Sequence, residues 1–225
     1  MVAIVIDDLG MDRRRTAEIM ALRGPLTMSF LSYAGDLSRQ TRRAREAGHE
    51  LLVHVPMEPE HVRDDMGTNV LEVGLSEKEL VRRIDWALQR FSGFVGINNH
   101  MGSRFTADRP GMTRLMRELK NRGLLFLDSR TTARSVAAEL ARDFAVPFAE
   151  RRVFLDNDPA PAAVARQMQE AERIARRDGA VVVIGHPRDA TIAALRQWLS
   201  RLEERGFVLA PLSAVVNRAQ LRGRG

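Results

Sequence analysis

The sequence contains no cysteine. That absence excludes disulfides, thiolate metal sites and cysteine nucleophiles together, and it fits any compartment. Lysine is almost missing as well: Lys78 and Lys120 are the only two, so arginine carries the net charge of +6. Aromatic residues make up 5% of the chain. A nucleic-acid surface gathers its positive charge in one patch, usually with base-stacking aromatics. Here arginine pairs recur at Arg42-Arg43, Arg82-Arg83, Arg151-Arg152 and Arg176-Arg177 along the whole length, so no nucleic-acid partner is expected. No apolar run reaches the roughly 18 residues of a membrane span. No basic segment followed by an apolar h-region opens the chain, and a start so close to the first apolar run reads as a catalytic domain cut from a longer protein. A Gly-rich phosphate loop, a GxSxG elbow and an HExxH helix are all missing, which excludes the enzyme classes built on them.

The chain has 225 residues, of which 44% are hydrophobic, enough for a sizeable core. Apolar runs of strand length lie at Val2 to Ile6, Leu26 to Leu31, Leu51 to Val55, Phe94 to Ile97, Leu124 to Leu127, Val181 to Ile184 and Phe207 to Leu209. Continuous runs of this kind fit strands covered on both faces. Phe144 to Phe148 contains Pro147 and reads as an edge or a loop. Helical patterns ending in glycine alternate with the runs. The clearest is "SEKELVRRIDWALQRFSG", with Ser76 and Glu79 at capping-box spacing. The alternation predicts a parallel α/β sheet with right-handed crossovers, and seven or eight such units close into a barrel. No linker divides the chain, so residues 1–225 read as one domain.

The chemistry-bearing residues fall together. Asp7 and Asp8 follow the first run, His54 ends the third, and His100, Asp128 and His186 follow later ones. All lie at carboxyl ends of predicted parallel strands, the edge where such sheets bind ligands. His49 and His61 have no such placement and read as surface residues. Two histidines and a carboxylate form a common ligand set for a divalent metal with open positions. Such a cation also accounts for the adjacent aspartates: one binds it while the other takes a proton from water. Glycoside hydrolysis needs two carboxylates several ångströms apart; Asp7 and Asp8 cannot straddle a linkage, although Asp7 with Asp128 can.

The blocks "AIVIDDLG", "GHELLVHVPMEP", "GINNHMGSRFT", "LFLDSRT" and "VVVIGHP" resemble the divergent polysaccharide deacetylase family, metal-dependent carbohydrate esterases with a distorted (β/α) barrel. The resemblance runs from Val2 to about Val216. It implies a seven-stranded barrel of mostly parallel strands that holds a divalent metal, zinc first among candidates. It further implies Asp7 as base and Asp8 and His54 as ligands. Glu58 stands where the wider superfamily has its second histidine, and the divergent family restores one from the next strand, here His100. His186 is implied as the acid that protonates the leaving amine. Arg104, or its rival Arg130, is implied to orient the base. Asp128 is expected to position His186 or bind substrate. The expected substrate is an N-acetylated amino-sugar polymer in a periplasmic or cell-envelope setting. The alternative is a catalytically silent glycan-binding or cell-envelope scaffold that keeps the metal site.

Overall fold

The computed structural model describes residues 1–61 and 66–222. Most strands form where the sequence offers a short apolar run. In order they are β1 (Val2–Leu9), β2 (Thr27–Leu31), β3 (Glu50–Met57), β4 (Gly96–Met101), β5 (Leu125–Asp128), β6 (Phe148–Glu150), β7 (Val153–Phe154) and β8 (Val181–Gly185). The helices between them are α1 (Arg13–Met20), α2 (Leu37–Glu46), α3 (Glu77–Leu88), α4 (Arg109–Arg122), α5 (Ala137–Asp143), α6 (Pro161–Asp178) and α7 (Asp189–Arg201), with α8 (Leu212–Arg222) last. Their ends follow local chemistry. Ser76 caps α3 by accepting from the Glu79 amide, and Gly123, at φ 65°, ends α4 in the left-handed conformation that glycine adopts without strain.

All neighbouring strands pair in parallel, in the order β6-β5-β4-β3-β2-β1-β8-β7. The two ends of that order, β6 and β7, are joined by Arg151 and Arg152 alone. Three peptide steps span at most roughly 11 Å, so the sheet must curl until its edges meet. The Arg151 amide still donates to Asp128 O and the Arg152 amide already donates to Val182 O, so one broken segment, 148–154, closes the ring between β5 and β8. The expected α/β barrel fold is therefore present, with two differences. Its closing member is the 148–154 segment, which no apolar run marked; Phe144 to Pro147 is turn and loop, as Pro147 suggested. Phe207 to Leu209 is not a strand: it makes one isolated bridge, Val2 with Leu209.

Strand side chains alternate between two cores. Ile4, Ile6, Leu51, Val53, Phe126, Val181 and Val183 face the helices, whereas Ala3, Val5, Leu52, Leu125, Leu127, Val182 and Ile184 fill the ring. Leu212, Val215 and Val216 of α8 join the inner set. The Leu212 and Ser213 amides are held by Thr27 Oγ1 and Glu50 Oε1 at 3.0 and 3.2 Å, so α8 plugs the end of the ring where the strands begin. His49, expected at the surface, is buried: the Leu26 amide donates to its Nδ1, its Nε2 meets Met20 O, and burial lowers its pKa. His61 is exposed, as expected.

Candidate metal and catalytic site

The inner alternation runs from apolar to polar toward the carboxyl ends of the strands. On β1 it goes Ala3, Val5, Asp7; on β3, Leu52, His54; after β5, Leu125, Leu127, Ser129; after β8, Val182, Ile184, His186. The polar ends meet in a cleft of about 480 Å³ lined by Asp7, Asp8, His54, His100 and His186 among others, a volume typical of small-molecule sites. Adjacent residues of a regular strand point to opposite faces, yet Asp7 and Asp8 both reach this cleft. The reason is a bulge: the register with β2 slips between Ile6 and Leu9, and Asp8 adopts φ 58°. Aspartate is among the few residues that tolerate this left-handed conformation.

Asp8 Oδ1 lies 3.2 Å from His54 Nε2 and 3.0 Å from His100 Nδ1. These three residues are the candidate metal-binding group among the described residues, with one ligand atom from each within 4.8 Å of the others. Asp8 Oδ1 is buried and has no hydrogen-bond partner, and the same holds for His100 Nε2. Unpaired buried polar atoms are rare and call for an explanation; an anionic oxygen between two imidazoles is the donor set of a divalent cation. Burial works against ionising Asp8, but the neighbouring His100 and His54 outweigh it and hold the carboxyl far below the usual range.

Asn98, which the sequence reading missed, organises the layer beneath. Its Oδ1 accepts from His54 Nδ1 at 2.9 Å and its Nδ2 donates to Asp7 Oδ1 at 2.8 Å. The amide therefore fixes the imidazole with its Nε2 lone pair toward Asp8, the kind of support that orients metal ligands. Burial opposes protonation of His54, yet Asp7 and Asp8 outweigh it and raise its pKa.

His186 is likewise supported from behind, but by Asp156. Asp156 is fully buried; it accepts from His186 Nδ1 and from the His186 amide, each at 2.8 Å, and from Thr191 Oγ1 at 2.7 Å. This leaves His186 Nε2 toward the cleft, 3.8 Å from Asp8 Oδ2. Burial disfavours the imidazolium, but the Asp156 carboxylate overcomes that and raises the pKa of His186.

Two expected participants stand elsewhere. Asp128 has the outward parity of Phe126, and its carboxylate accepts from the Arg130 amide and Ser135 Oγ at 2.7 and 2.6 Å; it anchors its own loop rather than His186. Arg104 pairs with Glu58 at 2.6 Å and does not line the cleft. Glu58 itself accepts from Arg104 and from the Val73 amide, so it ties loops together outside the metal-binding group. Arg130 and Arg151 do line the cleft, and the Asp7 charge favours the charged form of Arg151 against its burial.

The sequence model of a family described as divergent polysaccharide deacetylase matches residues 4–216. An uncharacterized protein of Haemophilus influenzae is 37% identical over 203 residues, covering 90% of this chain and 72% of that one. The crystal structure of uncharacterized protein ATU2773 from Agrobacterium tumefaciens C58 is similar with a TM-score of 0.92 at 30% identity, over 95% of this chain and 88% of that one. The catalytic domain of peptidoglycan N-acetylglucosamine deacetylase from Eubacterium rectale ATCC 33656 has a TM-score of 0.59 at 15% identity, over 94% and 87% of the two chains, a likeness of fold.

Proposed function

Because this chain belongs to the divergent polysaccharide deacetylase family, we propose that it is a zinc-dependent hydrolase removing N-acetyl groups from amino-sugar polymers of the cell envelope. The observation that carries this reading is Asp8 Oδ1, buried between two ring nitrogens without a hydrogen-bond partner. Leaving such an atom unpaired costs about 1–3 kcal/mol or more, a cost that a cation held by Asp8, His54 and His100 removes. One carboxylate and two imidazoles suit zinc with positions left for water and substrate. When bound, the cation supplies Lewis-acid polarisation of an acyl carbonyl and brings the pKa of water towards 7.

The remaining steps belong to side chains. Asp7 Oδ1 is engaged by Asn98 at 2.8 Å and Oδ2 only by a long contact from Ser129 Oγ at 3.5 Å, so Oδ2, 3.8 Å from His54 Nε2, is the oxygen that takes the proton from the attacking water. His186 gives the proton from Nε2 to the leaving amine, while Asp156 holds its Nδ1–H and fixes the ring. In this scheme Asp156 performs the positioning expected of Asp128. The acetylated amino sugar as substrate draws support from the Eubacterium rectale neighbour, whose name carries that chemistry.

Asp156→Asn tests the acid. His186 must carry a proton to act, and its raised pKa keeps that proton at a higher pH than an ordinary histidine allows. Removing the carboxylate charge lowers this pKa. The alkaline limb of the kcat/KM profile is therefore expected to move to lower pH, and kcat to fall, with zinc binding retained. An unmoved limb assigns the acid to another group.

A further inference from the structure

The cleft holds more positive charge than the deacetylation chemistry uses. Arg130, Arg151 and Arg188 line it along the arc from β5 across the 148–154 segment to the loop after β8, and the only carboxylates lining it among the described residues are Asp7 and Asp8. A divalent cation offsets those two charges; Asp128 favours the charged form of Arg151 from outside the cleft lining but forms no ion pair with it. Arg130 is paired with Glu150 at 3.6 Å. Arg151 and Arg188 are not: among the described residues neither forms an ion pair with a carboxylate, and both are held by neutral carbonyls. Arg151 Nε donates to Ser129 O and its Nη2 to Arg130 O, at 2.7 and 2.8 Å. Its guanidinium carbon lies 4.5 Å from the centre of the Phe154 ring. Arg188 Nη1 donates to Asp156 O at 2.6 Å.

A guanidinium that is partly buried usually has an anionic partner, because taking the charge out of water is costly otherwise. Burial does push the Arg151 pKa down. Both side chains are already fixed by the backbone, so little rotamer freedom remains to be lost on binding. Both also keep donors in hand: Nη1 of Arg151, and Nε and Nη2 of Arg188. The Nε–Nη2 edge of Arg188 is a planar fork that matches the two oxygens of a carboxylate, and Arg151 Nη1 adds a further donor.

We propose that Arg151 and Arg188 form a carboxylate-recognition subsite, so that the substrate is an N-acetylated amino sugar bearing a carboxylate on itself or on the adjoining sugar. The proposal rests on the deacetylase reading and narrows it from amino-sugar polymers in general to acidic ones. A neutral chain of N-acetylglucosamine leaves the half-buried Arg151 without an anionic partner and is the poorer ligand.

The test is calorimetry on the zinc-loaded protein with three oligosaccharide probes, with released acetate assayed in the same samples. One probe contains N-acetylglucosamine alone, one alternates it with its 3-O-lactyl ether, and one alternates it with a uronic acid. The acidic probes are expected to bind about ten- to a hundredfold more tightly than the neutral one, the range of one or two charge-assisted hydrogen bonds. The preference should shrink as salt is raised. The stronger acidic probe tells which sugar carries the carboxylate. In the Arg151→Gln/Arg188→Gln double variant the preference should fall to near parity, whereas Arg39→Gln, which removes a charge on α2 outside the cleft, should keep it. Should the double variant fail to fold, Arg188→Gln alone alters an exposed side chain and should lose part of the preference. Equal binding of acidic and neutral probes by the unaltered protein, a preference untouched in the arginine variants, or its loss in Arg39→Gln overturns the proposal. Preference without acetate release overturns the deacetylase reading and leaves the subsite; acetate release without preference does the reverse.

Discussion

Tight zinc binding is expected to be lost in His100→Ala and in Asp8→Asn, while the melting temperature of the metal-free protein changes little. His100 lines the cleft with Nε2 unpartnered, so its removal widens an existing opening rather than hollowing the core. Asparagine adopts φ near 58° at least as easily as aspartate, so Asp8→Asn keeps the bulge and deletes only the charge. Disturbing a group behind a ligand typically costs about 10- to 100-fold in metal affinity; deleting a ligand should exceed that range, as measured by zinc titration against a competing chelator. The same titration has a defined pH dependence. A ligating imidazole must be neutral, and Asp7 and Asp8 raise the pKa of His54 against its burial. Protons therefore compete with the cation from above the ordinary histidine range downward, and affinity falls as pH falls. Full zinc occupancy in His100→Ala would make that residue a structural one.

Asp7→Asn is expected to do the opposite: zinc stays bound and turnover drops by about 10²- to 10⁴-fold, the usual effect of losing a general base. The Asn98 amide can still donate to the oxygen of an asparagine at position 7, so the network around His54 survives. An amide oxygen accepts a hydrogen bond from water but does not take its proton. Rates must be compared at saturating zinc, so that slow chemistry is separated from weak binding. Undiminished turnover would place the base elsewhere.

The pattern of strand, helix and glycine was enough to read an α/β barrel from the sequence, because buried parallel strands leave uninterrupted apolar runs. The broken 148–154 segment was hidden because β6 and β7 are too short to leave one. Phe207 to Leu209 misled for the converse reason: it is apolar and contacts β1, yet bonds it only through Val2. At the candidate site, proximity to a strand's carboxyl end was enough to bring Asp7, Asp8, His54, His100 and His186 to one cleft, and strand parity would have refined it. Asp128 shares the outward parity of Phe126, while Asn98 shares the inward parity of His100, two residues on. Asp8 breaks parity through a bulge that no sequence period reveals. Asp156 and Arg151 sit beside strands of two and three residues, where no periodicity exists to orient them.

The most direct test of the whole account is acetate release from N-acetylated amino-sugar oligomers, followed through chelation and zinc restoration in one preparation. The expected result is acetate produced by the zinc-loaded protein, none after the chelator, and recovery when zinc is returned. Stoichiometric zinc with no acetate from any acidic or neutral oligomer would contradict it and leave a glycan-binding scaffold that retains the metal.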